Sequence, residues 1–223
     1  MNGVSSKTGK LDPAGEGARR KPRQERSKAS QERMLATAKL LMTEQGNEDF
    51  TLIEVSKRGN VSIGSIYLRY ESKDNLVRAV LAQGMVDLAD AEDEMLSNLK
   101  SNCHSLADFV PNFVEGYAGV LSEHAPLLRL AMMRAEFDPL VAAPGKKAAE
   151  RALAAALDSM LRYSDEIGGK NPAKRAMAAY QVVFSTLARE LSLGSSRESV
   201  TSYDWDEMKQ ELGLMCLAYL RAP

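Results

Sequence analysis

Long apolar runs, disulfide spacing and aromatic mass are what this 223-residue chain has least of. No stretch approaches the roughly 18 apolar residues that span a bilayer, and no signal-peptide pattern is visible, so no membrane association is expected. Its two cysteines, Cys103 and Cys216, stand far apart without disulfide spacing, which predicts a reducing cytoplasm. The two histidines, His104 and His124, have only Cys103 nearby, so neither a metal nor another cofactor is expected. A nucleotide-binding glycine loop and a Gly-x-Ser-x-Gly nucleophile elbow are both missing, which argues against an enzyme. Strand-like alternation, internal repeats and long heptad runs are missing too. Aromatics make up only 6% of residues, whereas helix formers such as Ala, Leu, Met, Glu, Lys and Arg are plentiful. An all-α fold is predicted.

Net charge is also small, at −1, but it is unevenly spread. Residues 1–28 hold eight Lys or Arg against three acids, which makes +5 and leaves −6 for the rest. A basic end on an acidic body suits a protein that offers one end to nucleic acid. Residues 1–25 have hardly an apolar side chain and read as a disordered basic arm. Its cluster of Arg19, Arg20, Lys21 and Arg23, continued by Arg26 and Lys28, either adds phosphate or minor-groove contacts or serves as a solubilising tail.

What is present is a run of amphipathic helices with legible punctuation. Ser30 is the expected cap of a first helix ending at Gly46, with Met34, Leu35, Ala38, Leu41 and Met42 as its inner stripe. Thr51 caps a short helix whose Leu52, Ile53 and Val55 are read as one apolar face. Gly59-Asn60 is read as a turn in which both residues take left-handed backbone. Ser62 caps a second short helix, Ile63 to Tyr70, and Ser72 caps a long one running from Lys73 to about Lys100. This is the outline of a helix-turn-helix. In its second helix Ile66 and Tyr70 are read as inward, and Ser65, Tyr67 and Arg69 as outward toward a major groove. Gly64 would admit a close backbone approach, and Lys73 would meet a phosphate at a helix start. The alternative at this point is a purely structural pair of helices with a solvated face.

Val55-Ser56, Gly59-Asn60-Val61-Ser62, Gly64-Ser65-Ile66-Tyr67 and Tyr70-x-Ser72-Lys73-x-x-Leu76 resemble the signature of the TetR family of bacterial transcriptional regulators. Met34-Leu35-x-x-Ala38 and Gly46 fit the family's first helix, so the resemblance covers about residues 30–80. Ser56 and Gly59 stand where alanines are usual, Asn60 where glycine is usual, and Gln31 where an arginine often makes a backbone contact. The resemblance implies a three-helix DNA-binding domain over residues 26–78 and a helical ligand-binding and dimerisation domain over residues 79–223. It implies DNA contacts from Thr51, Ser62, Ile63, Gly64, Ser65, Tyr67, Arg69, Tyr70 and Lys73. The implied function is a homodimeric regulator of a double-stranded, near-palindromic operator, a repressor released by a small-molecule effector. An activator, a ligand-independent regulator or an architectural DNA-binding protein are the alternatives.

The second domain reads as helices broken by Pro and Gly: Ser105 onward, Pro126 to Phe137, Lys146 to Tyr163, Ala176 to Leu191 and Tyr203 to Leu220. Phe109, Phe113, Tyr117, Met132, Met133 and Phe137 are the candidate effector-pocket wall, since Met and aromatics suit irregular sites. The same stripe would serve equally as plain core. Asp87, Asp90, Glu92, Asp93 and Glu94 are read as an acidic patch that repels DNA. The last two helices are the expected dimer surface, through Met177, Tyr180, Val183, Phe184, Leu187 and Leu191 and through Trp205, Met208, Leu212, Met215, Cys216, Tyr219 and Leu220.

Overall fold

The computed structural model describes residues 13–191, 193 and 204–223. Among them are eight α-helices, one 3-10 turn (Ser164–Glu166) and no strand. The helices are α1 (Pro13–Gln45), α2 (Leu52–Arg58), α3 (Ile63–Tyr70), α4 (Lys73–Asn102), α5 (Leu106–Ala135), α6 (Pro139–Leu161), α7 (Pro172–Glu190) and α8 (Trp205–Arg221). No helix among the described residues is long and apolar enough to cross a membrane.

Several boundaries differ from those expected. Residues 1–12 of the arm lie outside the described residues, and from Pro13 the backbone is already helical. Ser30 is therefore interior to α1, because the good helix formers around it (Glu25, Arg26, Lys28, Ala29, Gln31, Glu32) carry the helix through it. Pro126 does not start a new helix. It sits inside α5, where Ser122, whose carbonyl loses its i+4 donor, is exposed, and the buried Ala125, Leu127 and Leu130 hold the helix together. Likewise α6 begins at Pro139, a position that needs no N–H, and passes through Pro144.

Two large apolar cores and one small cluster form among the described residues. The first joins Met34, Ala38, Leu41 and Met42 of α1 to Phe50, Leu52, Val55, Val61, Ile66 and Tyr70, closed by Leu76, Val77, Val80 and Leu81 of α4. It also takes Leu127, Leu130 and Ala131 from α5, so this reading head is packed on the body rather than tethered to it. Gly84 marks how tightly α4 and α5 cross, since an added Cβ would collide with Leu127 Cδ2. The second core gathers Leu106, Phe109, Phe113, Tyr117 and Leu121 of α5 with residues of α6, α7 and α8. Cys103 and Cys216 are free and buried in it.

Head and body are also locked by one buried ionic node. Arg134, at the end of α5, places Nη1 2.5 Å from Glu48, Nη2 2.8 Å from Asp74 and Nε 2.8 Å from Asp138. Asp138 caps α6 and accepts a second guanidinium bond, from Arg78 Nε at 2.8 Å. The Arg78 bond, against burial and with help from Arg134, holds the Asp138 carboxyl below the usual carboxylate range. A planar fork can serve three carboxylates on three elements at once; a lysine ammonium cannot match that geometry. Replacing Arg134 by Met is expected to cost about 3 kcal/mol, because it leaves carboxylates facing each other without their shared cation. Urea unfolding of the two proteins measures the difference, and an unchanged midpoint would show that the node is dispensable.

Candidate nucleic-acid interface

The α2–α3 unit is held by side chains at each of its ends. Thr51 Oγ1 accepts from Glu54 N at 3.2 Å while Glu54 Oε2 accepts from Thr51 N at 2.6 Å, a reciprocal capping box. The Thr51 backbone bond holds the Glu54 carboxyl below its ordinary value. Ser56 Oγ donates to Val61 O at 2.6 Å, so the serine in place of the usual alanine ties the turn together. Asn60 takes the left-handed conformation with φ 47, but Gly59 does not, its φ being −84. Gly59 is needed for a different reason: a Cβ there would lie 2.7 Å from Thr37 Oγ1 of α1. Ile53 also departs from the expectation, since it faces solvent while Leu52 and Val55 turn inward.

The outer face of α3 carries Ser62, Ile63, Gly64, Ser65, Tyr67 and Arg69, all exposed. Ser62 accepts from Ser65 N at 3.1 Å and shares a 2.7 Å hydroxyl bond with Ser65 Oγ. A Cβ on Gly64 would meet nothing within 4 Å, so that stretch of backbone is open to an incoming ligand. Tyr67 is 53% exposed. Leu68, which the sequence reading passed over, is 89% exposed and extends the same face. Its position one turn beyond Ser65 was the available signal, and an apolar tip there suits a thymine methyl.

Two of the expected contacts, Tyr70 and Arg69, are not free at the surface, whereas Lys73 stands at a helix start as expected. Tyr70 is buried, its hydroxyl has no hydrogen-bond partner among the described residues, and burial pushes its phenol up. It fills the head core, in keeping with its inward reading and not with a place among the DNA contacts. Arg69 is committed to α1, bonding Gln31 Oε1 and, at 2.6 Å, Ser27 Oγ. Gln31, where an arginine is usual, thus braces the reading helix. Lys73 lies over the Phe50 ring at 5.0 Å, at the start of α4 and on the same rim as the exposed Thr51.

The expected effector residues separate into two groups. Phe109, Phe113 and Tyr117 are buried and stacked in series, with centroids 5.7 and 5.4 Å apart. Phe113 and Tyr117 line a cavity of about 10 Å³ together with Glu92, Asp93, Met95, Leu96, Arg151, Ala152, Ala155, Ala156 and Tyr180. Met132 is half-buried beside Ala125, Ala188 and Leu193, away from that cavity. Met133 and Phe137 point to solvent, because the turn at the end of α5 spends its inward position on Arg134. Glu92 is no surface acid: it is only 7% exposed, and burial raises its carboxyl to about 7 against the pull of Arg151. Nothing short of its burial revealed it, since one glutamate in an acidic run carries no sequence signal.

Residues 34–80 match the family model described as bacterial regulatory proteins, tetR family. No curated protein matched the sequence. Among solved structures the chain resembles GusR of Salmonella enterica, with 19% identity over 86% of this chain and 96% of that one, at TM-score 0.61. It also resembles a bacterial regulatory protein in the tetR family from Rhodococcus RHA1, with 14% identity over 87% and 98% and TM-score 0.61. A third is the TetR family transcriptional regulator PfmR of Thermus thermophilus, with 16% identity over 82% and 96% and TM-score 0.57. At these identities the three structures speak for the shared fold alone. It is the head of this chain, residues 34–80, that is similar to the tetR family of bacterial regulatory proteins.

Proposed function

We propose that this protein is a cytoplasmic, homodimeric repressor that binds a near-palindromic operator and is released by a small-molecule effector. The observation that carries the DNA half is the braced outer face of α3: Ser65, Tyr67 and Leu68 are exposed, on a helix fixed by its Ser62 cap and by Arg69. Residues 26–78 act as the reader and residues 79–223 as the effector and dimer domain. Thr51 and Lys73 flank the reading helix as phosphate contacts, and Ile63 and Gly64 meet the groove. The basic segment before residue 29 adds sequence-independent affinity.

Dimerisation is carried by the outward residues of α7 and α8. Tyr180, Val183, Leu187, Leu212, Cys216 and Leu220, expected at the interface, are spent on the chain's own core. Met177, Val182, Leu214, Met215 and Tyr219 remain large, apolar and exposed, which two copies bury by packing four helices about a twofold axis. The effector half rests on the cavity beside Glu92. In the described conformation it holds about one water, far below a ligand's volume, so effector binding has to spread the helices around it. That spreading, passed along α4 and through Arg134 to the head, alters the spacing of the two readers.

Selection of genomic fragments at physiological salt tests the reading: one enriched palindrome is expected, and binding without a shared motif points instead to an architectural role. Tyr67→Ala and Lys73→Ala are each expected to weaken operator binding about tenfold with the fold intact. Equal affinity would remove these residues from the interface. Leu214→Glu with Met215→Glu is expected to give a monomer by sedimentation, whereas a persistent dimer would place the interface elsewhere. Glu92, ordinarily 4.5 and raised to about 7 by burial, binds its proton more tightly folded than unfolded. Its stabilising effect is complete below about pH 4.5 and is lost as pH rises through about 7. Glu92→Gln should therefore flatten the stability profile and gain about 2 kcal/mol over the native chain at pH 8, as read by thermal unfolding at pH 5 and pH 8.

A further inference from the structure

We propose that the Glu92 cavity selects an organic cation, a protonated amine on an aryl or alkyl body, as the effector chemistry of this regulator. The inference rests on the effector reading above and adds the charge of the ligand. Glu92 lines the cavity, is more than nine-tenths buried, and has no hydrogen bond among the described residues. Arg151 pairs with it only at long range, Nη1 lying 3.8 Å from Glu92 Oε2, while its Nη2 binds Asp93 and the Ala89 carbonyl. Glu92, Asp93 and Arg151 are the ionisable acid and base groups at the cavity, and together they carry a net negative charge when ionised. A buried carboxylate with only one long-range, shared cation is costly, and a ligand cation reduces that cost where a neutral or anionic ligand does not.

The walls suit the same guest. Phe113, Tyr117 and Tyr180 face the cavity as an aromatic group, with Tyr117 and Tyr180 rings 5.9 Å apart and their hydroxyls bonded at 2.9 Å. Aromatic faces attract a desolvated cation and stack on its apolar body. Burial drives the carboxyl of Glu92 upward, so it is partly protonated near neutral pH and a bound cation shifts it to the ionised form. To the lining α6 contributes only Ala152, Ala155 and Ala156 beside Arg151, so outward movement of α6 would enlarge the space without exposing bulky side chains.

Three probes share one body and differ in charge: 3-phenylpropylammonium, 3-phenylpropanol and 3-phenylpropanoate. Calorimetric titration of the full chain at neutral pH is expected to show the ammonium binding at least about tenfold tighter than the alcohol, with the carboxylate weakest. Glu92→Gln, nearly isosteric and checked for intact helicity, is expected to bring the ammonium down to the level of the alcohol. Ala155→Leu, which fills the space without touching the charge, is expected to weaken both. Equal binding of the carboxylate, a cation preference that survives in Glu92→Gln, or no binding of any probe at millimolar concentration each overturns the proposal. Operator release by the ammonium is read separately. Binding without release keeps the cation site and removes its effector role, so the two readings fail independently.

Discussion

The guanidinium of Arg134 is the constraint on which the arrangement of this molecule depends. It is buried where four segments meet: the loop after α1, the first turn of α4, the end of α5 and the start of α6. Apolar packing between head and body is nondirectional and tolerates small slides. Three charge-assisted bonds from one planar group do not, so the node sets the angle at which α3 is presented.

Beyond that node, the short helix α3 is braced from several sides. The head core takes residues from five helices, and α3, only eight residues long, could not hold its shape alone. It is held by Ser62 at one end and by Arg69, reaching back to α1, at the other. A helix fixed this firmly loses little freedom on binding, which favours the contacts proposed for Ser65, Tyr67 and Leu68.

The body is organised around the opposite condition. Its aromatic series from Phe109 to Tyr180 is densely packed, yet it encloses a carboxylate that burial destabilises. That cost is what the proposed effector would relieve, and α4, which carries Leu96 in one core and Val77 in the other, runs from the cavity to the head.

Much of this was legible in the chain. Helical periodicity, the caps at Thr51, Ser62 and Ser72, the stop at Gly46 and the spacing from Val55 to Leu76 are local properties, and local chemistry was enough to outline an all-α fold with a helix-turn-helix. The prolines misled because their cost depends on what surrounds them: Pro126 is tolerated where buried neighbours hold both sides of the helix. Periodicity also identifies an apolar face without saying what covers it. Tyr180 and Leu187 proved to be core, while Val182 and Leu214 remained outside. Gly59 is needed for the approach of Thr37, Arg69 is diverted to Ser27, and Glu92 is desolvated by helices distant in sequence. The sequence by itself determined the elements, their order and the family of the head, because those follow from neighbours within a few residues. Tertiary structure decided which side chains are free to meet a ligand, because burial and pairing are set by segments that meet only after folding.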